Sequence, residues 1–215
     1  AEEEYLKRIA LGAWHEEVFF SWMRVGMCRE FQGKPVEQIA DAFMMAFEVA
    51  PNRVEPLYHL SCIYRKYDRP RNAFLVASLG LSIPMPENDI LFVDRANYLW
   101  GIYDEIATTA YYTGRPHIGI GACEKLLKEK YLPQEHRERV ESNYKLYQQA
   151  FNQMQQIVIE QQKEYAQKIL NELSIINIKQ LTVSTEIYFD PAGEDQYTSK
   201  DLEDNQILDI YKEFE

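Results

Sequence analysis

The sequence has few of the residues that mark several common classes of protein. Its three cysteines are widely spaced, which favours a reducing compartment over a disulfide framework. No stretch approaches the length of about 18 apolar residues that a transmembrane helix needs. Nine glycines and nine prolines are too few for a collagen-like or linker-rich chain. With 46% hydrophobic residues, the chain is expected to be a globular protein, and we expect it in the cytoplasm.

Basic residues are scarce as well. Lysine and arginine total 23 against 34 acids, a net charge of −11, so we expect no nucleic-acid partner. Residues 186–215 alone carry −8, which leaves −3 for the rest of the chain. This acidic tail is interpreted either as a solvated, mobile segment or as a docking peptide for a basic partner.

Residue patterns for metal or nucleophilic chemistry are also missing. None of the four histidines is spaced with a cysteine or another histidine as metal ligands are, and no serine or cysteine lies in a strained-turn motif. The acid pairs Glu16–Glu17 and Asp104–Glu105 are adjacent on helices and point about 100° apart, so neither pair can flank a glycosidic bond. We therefore assign no catalytic residue, metal or cofactor to this chain.

Three segments share one outline: a helix-like stretch, a turn with glycine or proline (QGKP, DRP and TGRP), a second helix-like stretch, and then proline. Gly26, Ser61 and Ala107 occupy one equivalent position of the first helices. Gly26 and Ser61 are about 35 residues apart, the period of a tetratricopeptide repeat. Before Ala107 roughly a dozen residues are inserted, within PMPENDILFVDRANY. The second helices match at Ala73 with Gly119 and at Ala77 with Cys123.

We predict an all-α, tetratricopeptide-like solenoid over residues 1–150. The alternative is an irregular helical bundle with coincidental small residues. The first segment, AEEEYLKRIALGAW, resembles the second helix of a repeat whose first helix is missing, so we expect the chain to be part of a longer protein.

A long closing helix is predicted to continue over residues 151–175, because no proline or glycine interrupts its apolar stripe. Residues 176–215 are predicted to be a small extended or β-prone segment followed by the acidic tail. A lone strand and a long exposed stripe each need a partner, so a homo-oligomer through the long helix or the strand is one expectation.

Polar side chains on the first helices are candidates to line the concave groove of such a solenoid. Glu55, Tyr58 and Arg65 share one face at spacings of three and seven residues. Tyrosine, arginine and carboxylates could hold a protein, a peptide or a glycan acceptor there; alternatively, these residues brace adjacent repeats or are solvated. The candidate groove residues are His15, Glu17, Arg24, Glu55, Tyr58, Arg65, Asp104, Thr108 and Tyr111.

Four stretches resemble the repeat region of tetratricopeptide-repeat glycosyltransferases, over roughly residues 1–150: WHEEVFFSWMRVG, VAPNRVEPLYHLSCIYR, PENDILFVDRANYLWGIYDEIATTAYYTGR and ACEKLLKEKYLPQEHRERVESN. In that family a family-2-type sugar-transferring domain usually precedes the repeats. Its metal-holding pair of aspartates, separated by one residue, has no counterpart here, nor does a phosphate loop.

The resemblance implies an accessory segment that presents an acceptor to a catalytic domain absent from this chain. The residues by themselves favour a non-catalytic binding or scaffold module for protein–protein interaction, and both hypotheses stay open.

Overall fold

The protein is known from a computed structural model, which describes residues 1–175. Within this range every regular element is a helix, which confirms the all-α prediction. The extended segment and acidic tail predicted for residues 176–215 lie outside the described residues. The helices are α1 (Glu2–Leu11), α2 (His15–Phe31), α3 (Val36–Val49), α4 (Glu55–Lys66), α5 (Pro70–Gly80), α6 (Ile102–Thr109), α7 (Pro116–Lys128) and α8 (Gln134–Ile175).

Prolines and glycines set the ends of these helices. Pro70 and Pro116 occupy the first turns of α5 and α7, where the missing N–H group is not needed. Gly33 and Gly114, which precede α3 and α7, have φ angles of 65° and 70°, in the left-handed region that favours glycine. The turn chemistry read from the sequence therefore positions the breaks between paired helices.

The helix that begins the third pair is irregular. A π-helical turn at Asn97–Gly101 leads into α6, and a 3-10 turn at Ala110–Thr113 follows it. Each helix packs against the next one in sequence, and α6 also contacts α4 and α8. This irregular helix therefore contacts helices that precede it and helices that follow it in the sequence.

Small residues lie where paired helices approach closely. A Cβ atom on Gly26 would lie 2.8 Å from the Phe43 ring, and Ser61 Oγ lies 3.0 Å from the carbonyl oxygen of Ala73. On α7, a Cβ atom at Gly119 would come within 2.4 Å of the Tyr147 ring. Larger side chains at these positions would push the contacting helices apart.

Helix α8 changes character along its length. Its first half is buried against the other helices at Val140 and Tyr147. The Tyr147 hydroxyl donates to the carbonyl oxygen of Ala107 at 3.1 Å and accepts the N–H of Tyr111 at 2.9 Å. Over residues 152–170 no side chain is buried. No helix within residues 1–175 combines the length and apolarity needed to span a membrane.

Two glycines of α7 give a matched test of this packing. Gly119→Ala should destabilise the protein by about 1–3 kcal/mol, because the buried and hydrogen-bonded Tyr147 ring cannot move away. Gly121→Ala, with nothing within 4 Å of the added Cβ, should be neutral or should stabilise the helix by up to about 1 kcal/mol. Urea unfolding would measure both, and equal effects would contradict the packing.

Candidate binding site

Arg53, in the turn between α3 and α4, is a fully buried charge. Its side chain is 0% exposed, and its guanidinium lies over the Phe19 ring, 4.4 Å from the centroid. Arginine carries five N–H donors in a planar fork, and all five are used. They donate to the two oxygens of Glu55 at 2.7 and 3.1 Å, to Asp89 at 3.3 Å, and to the carbonyls of Leu91 and Phe92 at 3.2 and 2.9 Å.

Glu55 is the anionic centre of this network. Beyond the Arg53 fork, its oxygens accept the N–H of Asp94 at 3.0 Å and the hydroxyl of Tyr98 at 2.7 Å. Burial would lower the pKa of Arg53, but the hydrogen bonds and the charge of Glu55 outweigh it and raise that pKa. Burial, reinforced by the charge of Glu55, raises the pKa of Tyr98, so its hydroxyl stays protonated and remains a donor.

These contacts hold residues 89–94, a non-helical segment that we call the strap. It lies within the inserted stretch identified from the sequence. Glu16, at the start of α2, accepts the N–H groups of Ile90 and Leu91 at 3.0 and 2.7 Å. The strap N–H groups therefore donate to carboxylates, and its carbonyl oxygens accept hydrogen bonds from Arg53. Most hydrogen bonds that hold the strap are made to its main chain, as they would be for an extended peptide ligand.

Phe92 is the strained point of the strap. Its φ of 54° lies in the left-handed region, which is an outlier for a bulky residue. The ring is 57% exposed and stacks on Phe20 of α2 with centroids 3.7 Å apart. Strain of this kind persists only when surrounding contacts overdetermine it, and it concentrates at functional sites.

An open pocket of about 440 Å³ lies between α1, α2 and the strap. We call it the aromatic pocket, because its lining includes the rings of Tyr5, Trp14, Phe20 and Phe92. Charged side chains share this lining, and Arg8 forms an ion pair with Glu17 across it. Arg24 lies beside the pocket, with its guanidinium 5.9 Å from the centroids of both the Tyr5 and Phe20 rings.

A second polar cluster is centred on Glu105 of α6, which is buried. Arg65 of α4 donates to its two oxygens at 2.8 and 3.1 Å, and Ser61 Oγ lies 3.0 Å away. The hydrogen bonds that Arg65 donates to Glu105 raise the pKa of Arg65. Burial, with the nearby charge of Glu105, raises the pKa of Cys62 to about 12, so this thiol stays protonated and unreactive.

The neighbouring acid of α6 points the other way. Asp104 accepts Arg139 of α8 on both oxygens at 2.8 Å, and the same guanidinium donates to Thr108 at 3.0 Å. Asp104 and Glu105 therefore tie α6 to α8 and to α4 respectively. This is the bracing role that the sequence left open beside a ligand groove.

Three side chains at the strap lie close enough to suggest a cation site. Ligand atoms of His15, Glu16 and Asp89 are within 4.8 Å of one another. However, Glu16 already accepts two backbone amides, and Asp89 accepts the Arg53 guanidinium, whose charge repels a cation. The present partners of these acids therefore account for the cluster without a metal.

Seven of the nine candidate groove residues lie in these two regions, and two lie outside them. His15, Glu17, Arg24 and Glu55 surround the strap and the aromatic pocket. Arg65, Asp104 and Thr108 belong to the clusters on α6. Tyr58 packs against Gly101 of the π-helical turn, and Tyr111 is exposed at the end of α6.

Sequence reasoning missed Arg53, Trp14, Phe92 and Arg139. Each of the two arginines has an aspartate partner about one repeat length away in the sequence, and this spacing was a usable signal. Arg53 and Asp89 are 36 residues apart, and Asp104 and Arg139 are 35 apart. Spacing within one helix cannot detect such pairs.

Comparison with protein-family models and with curated proteins gives no match. The resemblance to the repeat region of glycosyltransferases therefore stays a prediction.

The Arg53 network makes a quantitative prediction. Arg53→Ala should cost about 3–5 kcal/mol of folding free energy, because it leaves Glu55 buried and uncompensated. The matched control is Arg69→Ala, whose pair with Glu37 is exposed and screened by solvent, so its loss should change the folding free energy far less. Chemical denaturation would measure both variants. Comparable losses would mean that the buried network does not hold the strap.

Proposed function

We propose that this chain is a non-catalytic binding or scaffold module of the tetratricopeptide type, which mediates protein–protein interaction. In this proposal α2–α3, α4–α5 and α6–α7 are three solenoid repeats and the first half of α8 closes the stack. Packing of each helix on the next, with α6 also contacting α4 and α8, supports a solenoid, because its units contact mainly their neighbours.

The observation that carries the proposal is the strained Phe92 beside the aromatic pocket. An exposed ring on a strap fixed by a buried arginine is a pre-ordered contact surface, so little entropy is lost on binding. Tyrosine, tryptophan and arginine are the residues that dominate binding energy at protein interfaces. Tyr5, Trp14 and Arg8 provide these groups in the pocket.

Asp104, a candidate groove residue of α6, and its neighbour Glu105 favour a bracing role over a role in contacting a partner. Asp104 and Glu105 are buried, and their arginine partners are committed to them. We therefore propose that the protein or peptide partner binds in the aromatic pocket, next to Glu17 and Arg24, rather than along all of the candidate groove residues.

A random-peptide phage library tests this placement. Peptides selected on the wild-type protein should lose at least about tenfold in affinity to Phe92→Gly, which removes the ring while glycine suits the positive φ. Trp14→Ala should act in the same direction. Leu75→Ala removes an exposed apolar side chain on α5 and should leave affinity unchanged.

Two outcomes would contradict the proposal. One is the selection of no peptides. The other is a set of peptides that bind Phe92→Gly and Trp14→Ala as tightly as wild type. Peptides that respond only to Tyr111→Ala would move the partner to the end of α6.

A second candidate function is an acceptor-presenting segment of a glycosyltransferase whose catalytic domain is absent from this chain. The favouring observation is that the aromatic pocket combines aromatic faces with Glu4, Arg8 and Glu17, groups that can stack on a sugar and hydrogen-bond its hydroxyls. This role rests on the family resemblance, whereas the first candidate does not.

Glycan binding and nucleotide-sugar turnover would separate the two candidates. As an acceptor-presenting segment, the chain should bind at least one glycan on an array. Trp14→Ala should abolish this binding, and Leu75→Ala should leave it unchanged. It should turn over no nucleotide sugar. Failure to retain any glycan would exclude this candidate, and turnover by the pure chain would overturn the assignment of no catalytic residue.

Cys28, Cys62 and Cys123 form no disulfide. Free thiols support our proposal that the protein works in a reducing compartment such as the cytoplasm.

A further inference from the structure

The apolar stripe of α8 continues beyond the part that other helices cover. Near Tyr147 the stripe is buried against α7. Gly119, which meets the Tyr147 ring, lies one turn from the start of α7, so α7 reaches little further along α8. From Met154 onward the stripe is exposed: Met154 is 47% exposed, Val158 37% and Tyr165 67%.

The spacing along the stripe is that of a coiled-coil seam. Tyr147, Phe151, Met154, Val158 and Tyr165 follow one another at intervals of four, three, four and seven residues, and the polar Gln161 occupies the seam position between the last two. The exposed half of α8 is therefore suited to pairing with another helix. Most helical stability in proteins comes from packing of an apolar face, so the exposed stripe favours a cover.

We propose that the exposed half of α8 pairs with the same stripe of a second copy of this chain. Residues 152–170 span about 27 Å of helix, and two such helices side by side would bury about 1,000 Å² in total. That area is at the lower limit for a specific interface, so the dimer is weak and reversible.

Charge favours a second copy over the acidic C-terminal segment as the cover. Residues 152–170 carry two glutamates and two lysines, so identical helices meet without net repulsion. Residues 186–215 carry a net charge of −8, and a helix with no net positive charge does not attract them. An identical stripe supplies apolar side chains at matching intervals.

Sedimentation equilibrium of the full chain tests the dimer. The mass should rise with concentration from 25.4 kDa towards about twice that value. Val158→Asp should raise the dissociation constant at least about tenfold, because pairing would bury a carboxylate against apolar side chains. Gln149→Asp lies about 180° around the helix and should leave the constant unchanged. Both positions are exposed, so neither change should disturb the core.

A chain that stays monomeric at every concentration would overturn the proposal. So would a dimer that responds equally, or not at all, to the two substitutions.

A photo-cross-linker in place of Tyr165 identifies what covers the stripe. A cross-linked species of doubled mass, joined to residues of α8 in a second copy, is the expected result. A cross-link within one chain to residues 176–215 would show that the C-terminal segment covers the stripe and would overturn the proposal.

Discussion

The complete burial of the Arg53 guanidinium is the constraint on which the strap and its surroundings depend. A buried arginine is tolerable only if every N–H finds an acceptor and a carboxylate balances the charge. Glu55 supplies the carboxylate two residues away, but three further acceptors must come from the strap. The strap therefore cannot adopt another path without leaving N–H groups unpaired, and Phe92 is held in its strained conformation as a consequence.

Paired charges also hold the irregular α6 in place. Its adjacent acids, Asp104 and Glu105, diverge because neighbouring positions on a helix point about 100° apart. One therefore binds Arg139 on α8 and the other binds Arg65 on α4. Each ion pair fixes the position of α6 against one other helix, because it is a charge-assisted hydrogen bond at a partly buried site. The packing of the helices and the placement of the aromatic pocket thus depend on polar networks as well as on apolar cores.

Much of the helical organisation could be predicted because its causes are local. Glycine and proline turns mark the ends of the helices, and small residues such as Gly26 and Gly119 mark close approaches. The candidate site was less predictable. Glu17, Arg24 and Glu55 were selected as groove residues from their positions on helices, but Glu55 lies buried beneath the strap. Its partner Arg53 was not selected, because nothing in local spacing indicates that an arginine in a turn is buried.

The sequence by itself determined that the chain forms paired helices, where those helices break, and which positions must be small. Helix formation and helix ends depend on backbone preferences and on side chains within three or four residues of one another, and the small positions are visible because they recur at equivalent places in the repeated pattern. Only the tertiary structure decided which charges are buried, that Asp104 and Glu105 diverge, and that the inserted residues return as a strap to cover Glu16 and Arg53. Partners some 35 residues apart meet only once the helices have packed, and removal from water is a property of that packing and not of the chain.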